Sequence, residues 1–201
     1  MTPAWRKEQA RDRFFRRAKS EGYRARSAYK LIEIADRHRL LRPGDTVLDL
    51  GAAPGSWTQV ALDRVGPAGR VVAVDIAPMA PVGSATTVQM DITSPEAPAT
   101  IARALSRPAD AVISDAAPST TGIAVVDHAR SIELCRASLA LAIALLRSNG
   151  SFVCKVFRGE DFDAFVALVR QSFRRVEVVV PEATRSESKE AFVVGLGFSG
   201  R

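Results

Sequence analysis

Lys155 interrupts an apolar run, Ser151-Phe152-Val153-Cys154-Lys155-Val156-Phe157, that otherwise reads as a central strand. An ammonium group there loses its hydration and must be paired or neutral. The bland alternative is a side chain that snorkels past the strand end. Three more polar residues stand where patterning predicts burial or a strand end. Asp115 closes the run Ala111 to Ser114, Glu190 opens the last apolar run beside Lys189, and Lys30 adjoins the apolar face of a helix. In a sheet with alternating strands and helices, strand ends converge on one crevice, where ligands bind.

A second stretch supplies the ligand. Val47-Leu48-Asp49-Leu50-Gly51-Ala52-Ala53-Pro54-Gly55-Ser56-Trp57 is a strand, a small-residue turn and a helix start. Gly51 and Gly55 let the backbone approach a ligand closely, and the helix that follows directs free N–H groups at it. The spacing departs from the Gly-x-Gly-x-x-Gly dinucleotide fingerprint. Arg70 to Val74 reads as the second strand and ends in Asp75, suited to hydrogen-bonding a ribose diol. The turn alone is ordinary, but its Asp-x-Gly-x-x-x-Gly form resembles the S-adenosylmethionine motif of Rossmann-like methyltransferases.

The elements that must position these residues follow in order. Thr2 to Lys19 reads as an Arg-rich helix, broken at Ser20-Glu21-Gly22-Tyr23. Arg26 to Arg39 reads as a second helix with Ala28, Leu31, Ile32 and Ala35 on its apolar face. Strands are expected at 46–50, 70–74, 86–90, 111–114, 151–157, 175–180 and 191–197. Helices are expected at 56–64, 95–105, 126–146 and 161–173, the last with Asp161 as its cap. Alternation implies a mostly parallel, doubly wound α/β sheet of seven strands, with an antiparallel hairpin at one edge. That combination resembles the Rossmann-like methyltransferase fold. The chain reads as a single methyltransferase domain over 1–201: a basic helical extension over 1–42 and a core over 43–201.

Charge supports that division. The net charge is +6, but residues 1–42 carry 13 Lys/Arg against 5 Asp/Glu, whereas residues 43–201 are slightly acidic. Trp5, Phe14, Phe15, Tyr23 and Tyr29 are interleaved with the basic residues. Such a segment suits nucleic acid, its cations meeting phosphates and its rings stacking on bases, although a solvated Arg-rich helix has the same composition. No run is long enough to span a bilayer, and the N-terminus has no apolar secretory core. Cys135 and Cys154 read as core thiols of a cytoplasmic protein. With only two histidines besides, no metal site is expected.

Lys30, Asp115, Lys155 and Glu190 together resemble the Lys-Asp-Lys-Glu tetrad of the FtsJ/RrmJ family of RNA ribose 2′-O-methyltransferases. The likeness also covers Arg26-Ser27-Ala28-Tyr29-Lys30-Leu31, Ser114-Asp115-Ala116-Ala117-Pro118 and Arg185-Ser186-Glu187-Ser188-Lys189-Glu190. Within the family the chain looks most like the bacterial member that methylates a uridine ribose in 23S rRNA. The resemblance implies S-adenosyl-L-methionine as cofactor, bound by Gly51, Gly55, Trp57, Asp75, Asp91 and Asp115. Asp75 would take the ribose diol and Asp91 the adenine end. Lys155 would be the base, with Lys30 and Glu190 orienting the hydroxyl. Arg16, Arg17, Arg24 and Arg26 would meet RNA. The partner would be 23S rRNA in the large ribosomal subunit, met by a monomer. A free lysine has a pKa of about 10.4. Burial, Lys30 and the sulfonium push that value down, while Asp115 and Glu190 push it up, so residue types leave its protonation open. Ser56 replaces the family's usual second glycine, and Ser119 replaces a frequent Asn.

Rival chemistries fit less well. An exocyclic-amine methyltransferase would carry an Asn/Asp-Pro-Pro-Tyr/Phe motif after strand four. A carbon-5 pyrimidine enzyme needs a cysteine in the crevice, whereas Cys154 alternates with Lys155 and faces away. Action on tRNA, or a non-catalytic RNA-binding role, remain the alternatives.

Overall fold

The computed structural model describes residues 13–118, 121–185 and 188–200. Continuous apolar runs form the inner strands, buried on both faces as a parallel sheet covered by helices requires, while the edge strands are largely exposed. The strands are β1 (Thr46–Leu50), β2 (Arg70–Asp75), β3 (Thr86–Gln89), β4 (Ala109–Ser114), β5 (Leu146–Phe157), β6 (Phe173–Val179) and β7 (Glu190–Phe198). Their spatial order is β3-β2-β1-β4-β5-β7-β6. The first five pair in parallel and β7 runs antiparallel between β5 and β6. The seven-stranded α/β sheet is the expected one. Strand order reverses between β1 and β4, and the crevice above such a switch point is where open α/β sheets take ligands.

Helices cover both faces. α2 (Ala28–His38) and α3 (Ser56–Val65) cover one; α4 (Ala97–Leu105), α5 (Ala124–Leu145) and α6 (Phe162–Arg170) cover the other. A short helix, α1 (13–20), precedes them. The expected first helix begins at Thr2, so its opening turns, with Trp5, lie outside the described residues. Ser119, Thr120, Ser186 and Glu187 lie outside them too.

Several boundaries differ from the sequence pattern. β5 begins at Leu146, five residues early; Leu146 pairs with Ala109 before the register shifts, and Asn149 takes up the extra length at φ 64°. Asp161 precedes α6 but makes no side-chain cap, because its carboxylate lies 3.3 Å from His128 Nε2. Core packing also crosses residue 42. Ala28, Leu31, Ile34 and Ala35 of α2, with Leu40 and Leu41, are buried in one core cluster with Trp57, Val153 and Phe192. α2 therefore completes the sheet's core, while α1 rests on a smaller cluster of Phe14, Ala18, Tyr29 and Ala183. Among the described residues no helix is long and apolar enough to cross a membrane.

Candidate active site

Above the β1/β4 switch point lies a cavity of about 820 Å³, within the usual range for small-molecule sites. Its floor comes from the residues that end the strands: Gly51 after β1, Asp75 and Ile76 at β2, Met90 to Thr93 after β3, Asp115 to Pro118 after β4, and Lys155 of β5. Gly51 is dictated by close approach. Its φ is +69°, and a Cβ would stand 2.4 Å from Ala116 Cα.

Lys155 projects to the face covered by α2, on the same side as Val153, while Cys154 points into the opposite core. Its Nζ donates to the Asp115 carbonyl at 2.6 Å and stands 3.0 Å from Asp115 Oδ1, with the lysine side chain 10% exposed. Phe192 of β7 pairs opposite Lys155, and Glu190 lies two residues along the same face. Lys30, delivered by α2, donates to Glu190 Oε1 at 2.6 Å and stands 5.8 Å over the Phe192 ring. Thr184 also approaches that oxygen, at 3.4 Å. All four polar residues singled out by pattern thus form two half-buried ion pairs, Lys155–Asp115 at the cavity wall and Lys30–Glu190 beside it. Burial pushes the Cys154 thiol well above its usual range, helped by Cys135 beside it, which disqualifies it as a thiolate nucleophile.

A match to the FtsJ-like methyltransferase family model spans residues 23–198. The chain belongs to the FtsJ-like methyltransferases. Its relatives include two proteins named Ribosomal RNA large subunit methyltransferase E. That of Methanothrix thermoacetophila is 50% identical, aligned over 92% of this chain and 72% of its own. That of Azoarcus sp. is 48% identical over 96% and 95%. Among solved structures, a Plasmodium falciparum protein described as a ribosomal RNA methyltransferase superposes with TM-score 0.80 at 26% identity, covering 89% of this chain and all of that one. Aeropyrum pernix fibrillarin, solved with S-adenosyl-L-methionine bound, shares the fold alone, at TM-score 0.56 and 17% identity over 85% of this chain and 76% of its own.

An FtsJ-like methyltransferase takes its methyl group from S-adenosylmethionine, and the cavity suits that cofactor. Asp75 accepts from the backbone N–H groups of Ala53 and Ala77, both at 2.8 Å. A carboxylate offers about four lone-pair sites, so two remain for a ribose diol. Thr93 holds Asp91 through its N–H and hydroxyl, at 2.8 and 2.7 Å, and these bonds keep that carboxyl below the ordinary carboxylate range. Ile76 is 68% exposed at the cavity lip and Ile92 is buried beside it, an apolar setting for a flat ring.

Gly51, Asp75, Asp91 and Asp115 line this cavity, but two expected cofactor residues do not. Trp57 is buried in the α2/α3 core, where its indole N–H donates to the Ser27 carbonyl at 2.9 Å. Gly55, at φ +107°, faces Val82, Arg24 and Met79 behind the loop. Conversely, Arg130, Glu133 and Leu134 of α5 line the cavity without any local sequence signal. The basic residues diverge also. Arg17 pairs with Glu21 at 2.7 Å and lies over the Tyr29 ring. Arg26 donates to the Ala183 carbonyl at 2.7 Å, and Arg24 is turned toward two loops. Arg16 is exposed on α1.

Proposed function

We propose that this enzyme methylates the 2′-OH of a uridine ribose in 23S rRNA, on the assembled large ribosomal subunit, with Lys155 as general base. The names of its relatives support large-subunit rRNA as the substrate class. The observation that carries the chemistry is the Lys155 amine, buried at the cavity wall and aimed by both oxygen types of Asp115. S-adenosylmethionine supplies a methyl group on a positively charged sulfur. Asp75 and Asp91 would hold its ribose and adenine ends. The ribose hydroxyl is a poor nucleophile until its proton leaves. In its neutral form Lys155 would take that proton on Nζ, and the bound cofactor would supply the methyl group. Transfer needs the three reacting atoms in line at near-attack distance. Lys30 and Glu190, each satisfied by the other, would orient the hydroxyl. α1 would hold RNA phosphates through Arg16 and Arg17, and the enzyme would work as a monomer in the cytoplasm.

The test is transfer of labelled methyl to large subunits lacking the modification, with naked 23S rRNA and tRNA as parallel substrates. A single labelled 2′-O-methyluridine in the subunits is expected. Lys155→Ala should lower turnover by about 10²- to 10⁴-fold, the usual worth of a general base, and leave cofactor affinity within about threefold of wild type. Equal loss of affinity and turnover sinks the assignment of the base. Label confined to tRNA overturns the substrate.

A further inference from the structure

We infer that Arg24 is a positioning residue for the cofactor loop rather than one of the cations that hold RNA, an inference that rests on reading the cavity as the S-adenosylmethionine site. Its guanidinium reaches three backbone carbonyls on two loops. Nη1 donates to Pro54 O at 2.9 Å and to Ala80 O at 2.8 Å, and Nη2 donates to Pro81 O at 2.6 Å. Pro54 follows Ala53, a cavity residue; Ala80 and Pro81 belong to the loop that starts at Ile76 on the cavity lip. Arg24 lines no part of that cavity. It stands behind the loop at Gly55, where an added Cβ would meet Nη1 at 3.0 Å and Val82 at 2.7 Å.

The backbone beneath this side chain is fixed as well. The Arg24 N–H donates to Gln59 Oε1 at 2.9 Å, and Gln59 Nε2 donates to the Gly22 carbonyl at 2.9 Å. Gln59 sits in the first turn of α3, the helix that the cofactor loop opens. Residues 22–24, the 51–55 turn, α3 and the 76–83 loop are thereby joined through two side chains. The two walls that must grip the cofactor's methionine and adenosine ends keep their spacing through Arg24.

Guanidinium geometry gives the discriminating test. Its planar fork serves three carbonyls through two fixed nitrogens at once, whereas a lysine offers one compact nitrogen. A phosphate contact, by contrast, largely survives replacement by lysine because it depends on charge. Cofactor affinity of wild type, Arg24→Ala, Arg24→Lys and Gln59→Leu is measured by calorimetry, with thermal unfolding of each protein alongside. Turnover at saturating cofactor and the salt dependence of rRNA binding are measured on the same preparations. Wild-type binding in this titration tests the cavity reading by itself. All three variants should bind S-adenosylmethionine about tenfold more weakly, as the loss of about 1.4 kcal/mol predicts. KM for the cofactor should rise alike, kcat should stay within about twofold, and the salt slope should not move. Should Arg24→Ala fail to fold, Arg24→Lys and Gln59→Leu carry the same comparison. Unchanged cofactor affinity overturns the inference. So does full rescue of cofactor affinity by lysine, which makes the contact one of charge rather than of fork geometry, or a salt slope shallower by about one in Arg24→Ala, which makes Arg24 an RNA contact.

Discussion

Asp49 is buried, with no counter-ion among the described residues. Thr58 donates to its Oδ2 at 2.6 Å, and its Oδ1 has no hydrogen-bond partner among the described residues. Desolvation, and then the nearby Asp115 and Asp75 carboxylates, push its pKa from 3.8 up to about 7 against the Thr58 hydrogen bond. The sign follows from proton counting. Between about pH 4 and 7 the folded chain keeps a proton that the unfolded chain has lost. Stability from this residue is therefore fully present below pH 4 and is lost as pH rises through 7. Asp49→Asn mimics the protonated carboxyl and removes the dependence. Denaturant melts of both proteins from pH 4 to 8 should show the variant gaining on wild type as pH rises, by about 2 kcal/mol or more in total. A constant difference across that range would mean that Asp49 is ionised throughout. The sequence displays Asp49 only as the acid of a loop motif. Its unsatisfied burial follows from β1 lying between β2 and β4, a long-range fact that no local pattern carries.

The element that changes meaning between sequence and structure is α2. Its residue spacing announces an amphipathic helix, but not what the apolar face touches, and the Arg-rich composition around it suggests an appendage. Leu31 and Ile34 are wholly buried with Trp57 and Phe192, so the same packing that stabilises the domain delivers Lys30 to Glu190. Leu31→Ala should cost about 2–5 kcal/mol in urea melts, the usual range for an aliphatic truncation in a core. An appended helix would lose well under 1 kcal/mol. Strands β1, β2, β4 and β5 were legible because burial on both faces imposes unbroken apolar runs, and Asp115, Lys155 and Glu190 stood out because each interrupts or borders such a run, whereas Lys30 showed only as a polar neighbour of a helix's apolar face. Trp57 and Arg24 were not. Motif position puts Trp57 in the cofactor loop, yet an indole beside α2 gains more by burial than by facing a cleft. Composition makes Arg24 a phosphate ligand, yet carbonyls from distant loops reach its guanidinium.

At the scale of the molecule, the basic charge and the chemistry occupy different elements joined through α2 and the loop after β6. Arg13 of α1 pairs with Glu182 at 3.1 Å, Arg26 donates to the Ala183 carbonyl, and Glu33 of α2 accepts from the Glu182 N–H at 2.8 Å. Thr184, next in that loop, approaches Glu190. α1 is thereby anchored to the segment beside the tetrad, so RNA held along α1 would run toward the Lys30–Glu190 pair. Arg16 and Arg17 sit on the exposed side of α1, where the Arg17–Glu21 pair is solvent-screened and worth little. If they neutralise phosphates, each contributes counter-ion release to binding, with a slope of about 0.7 to 0.9 per contact in log affinity against log salt. Replacing both by glutamate should weaken rRNA binding at low salt and flatten that slope by about 1.4 or more. Cofactor affinity should stay at the wild-type value, since neither residue reaches the cavity. Binding isotherms at four salt concentrations decide the matter: a slope equal to wild type places the RNA path on another face, whereas a flattened slope with unchanged cofactor affinity ties the basic segment to substrate and leaves the methyl-transfer site untouched.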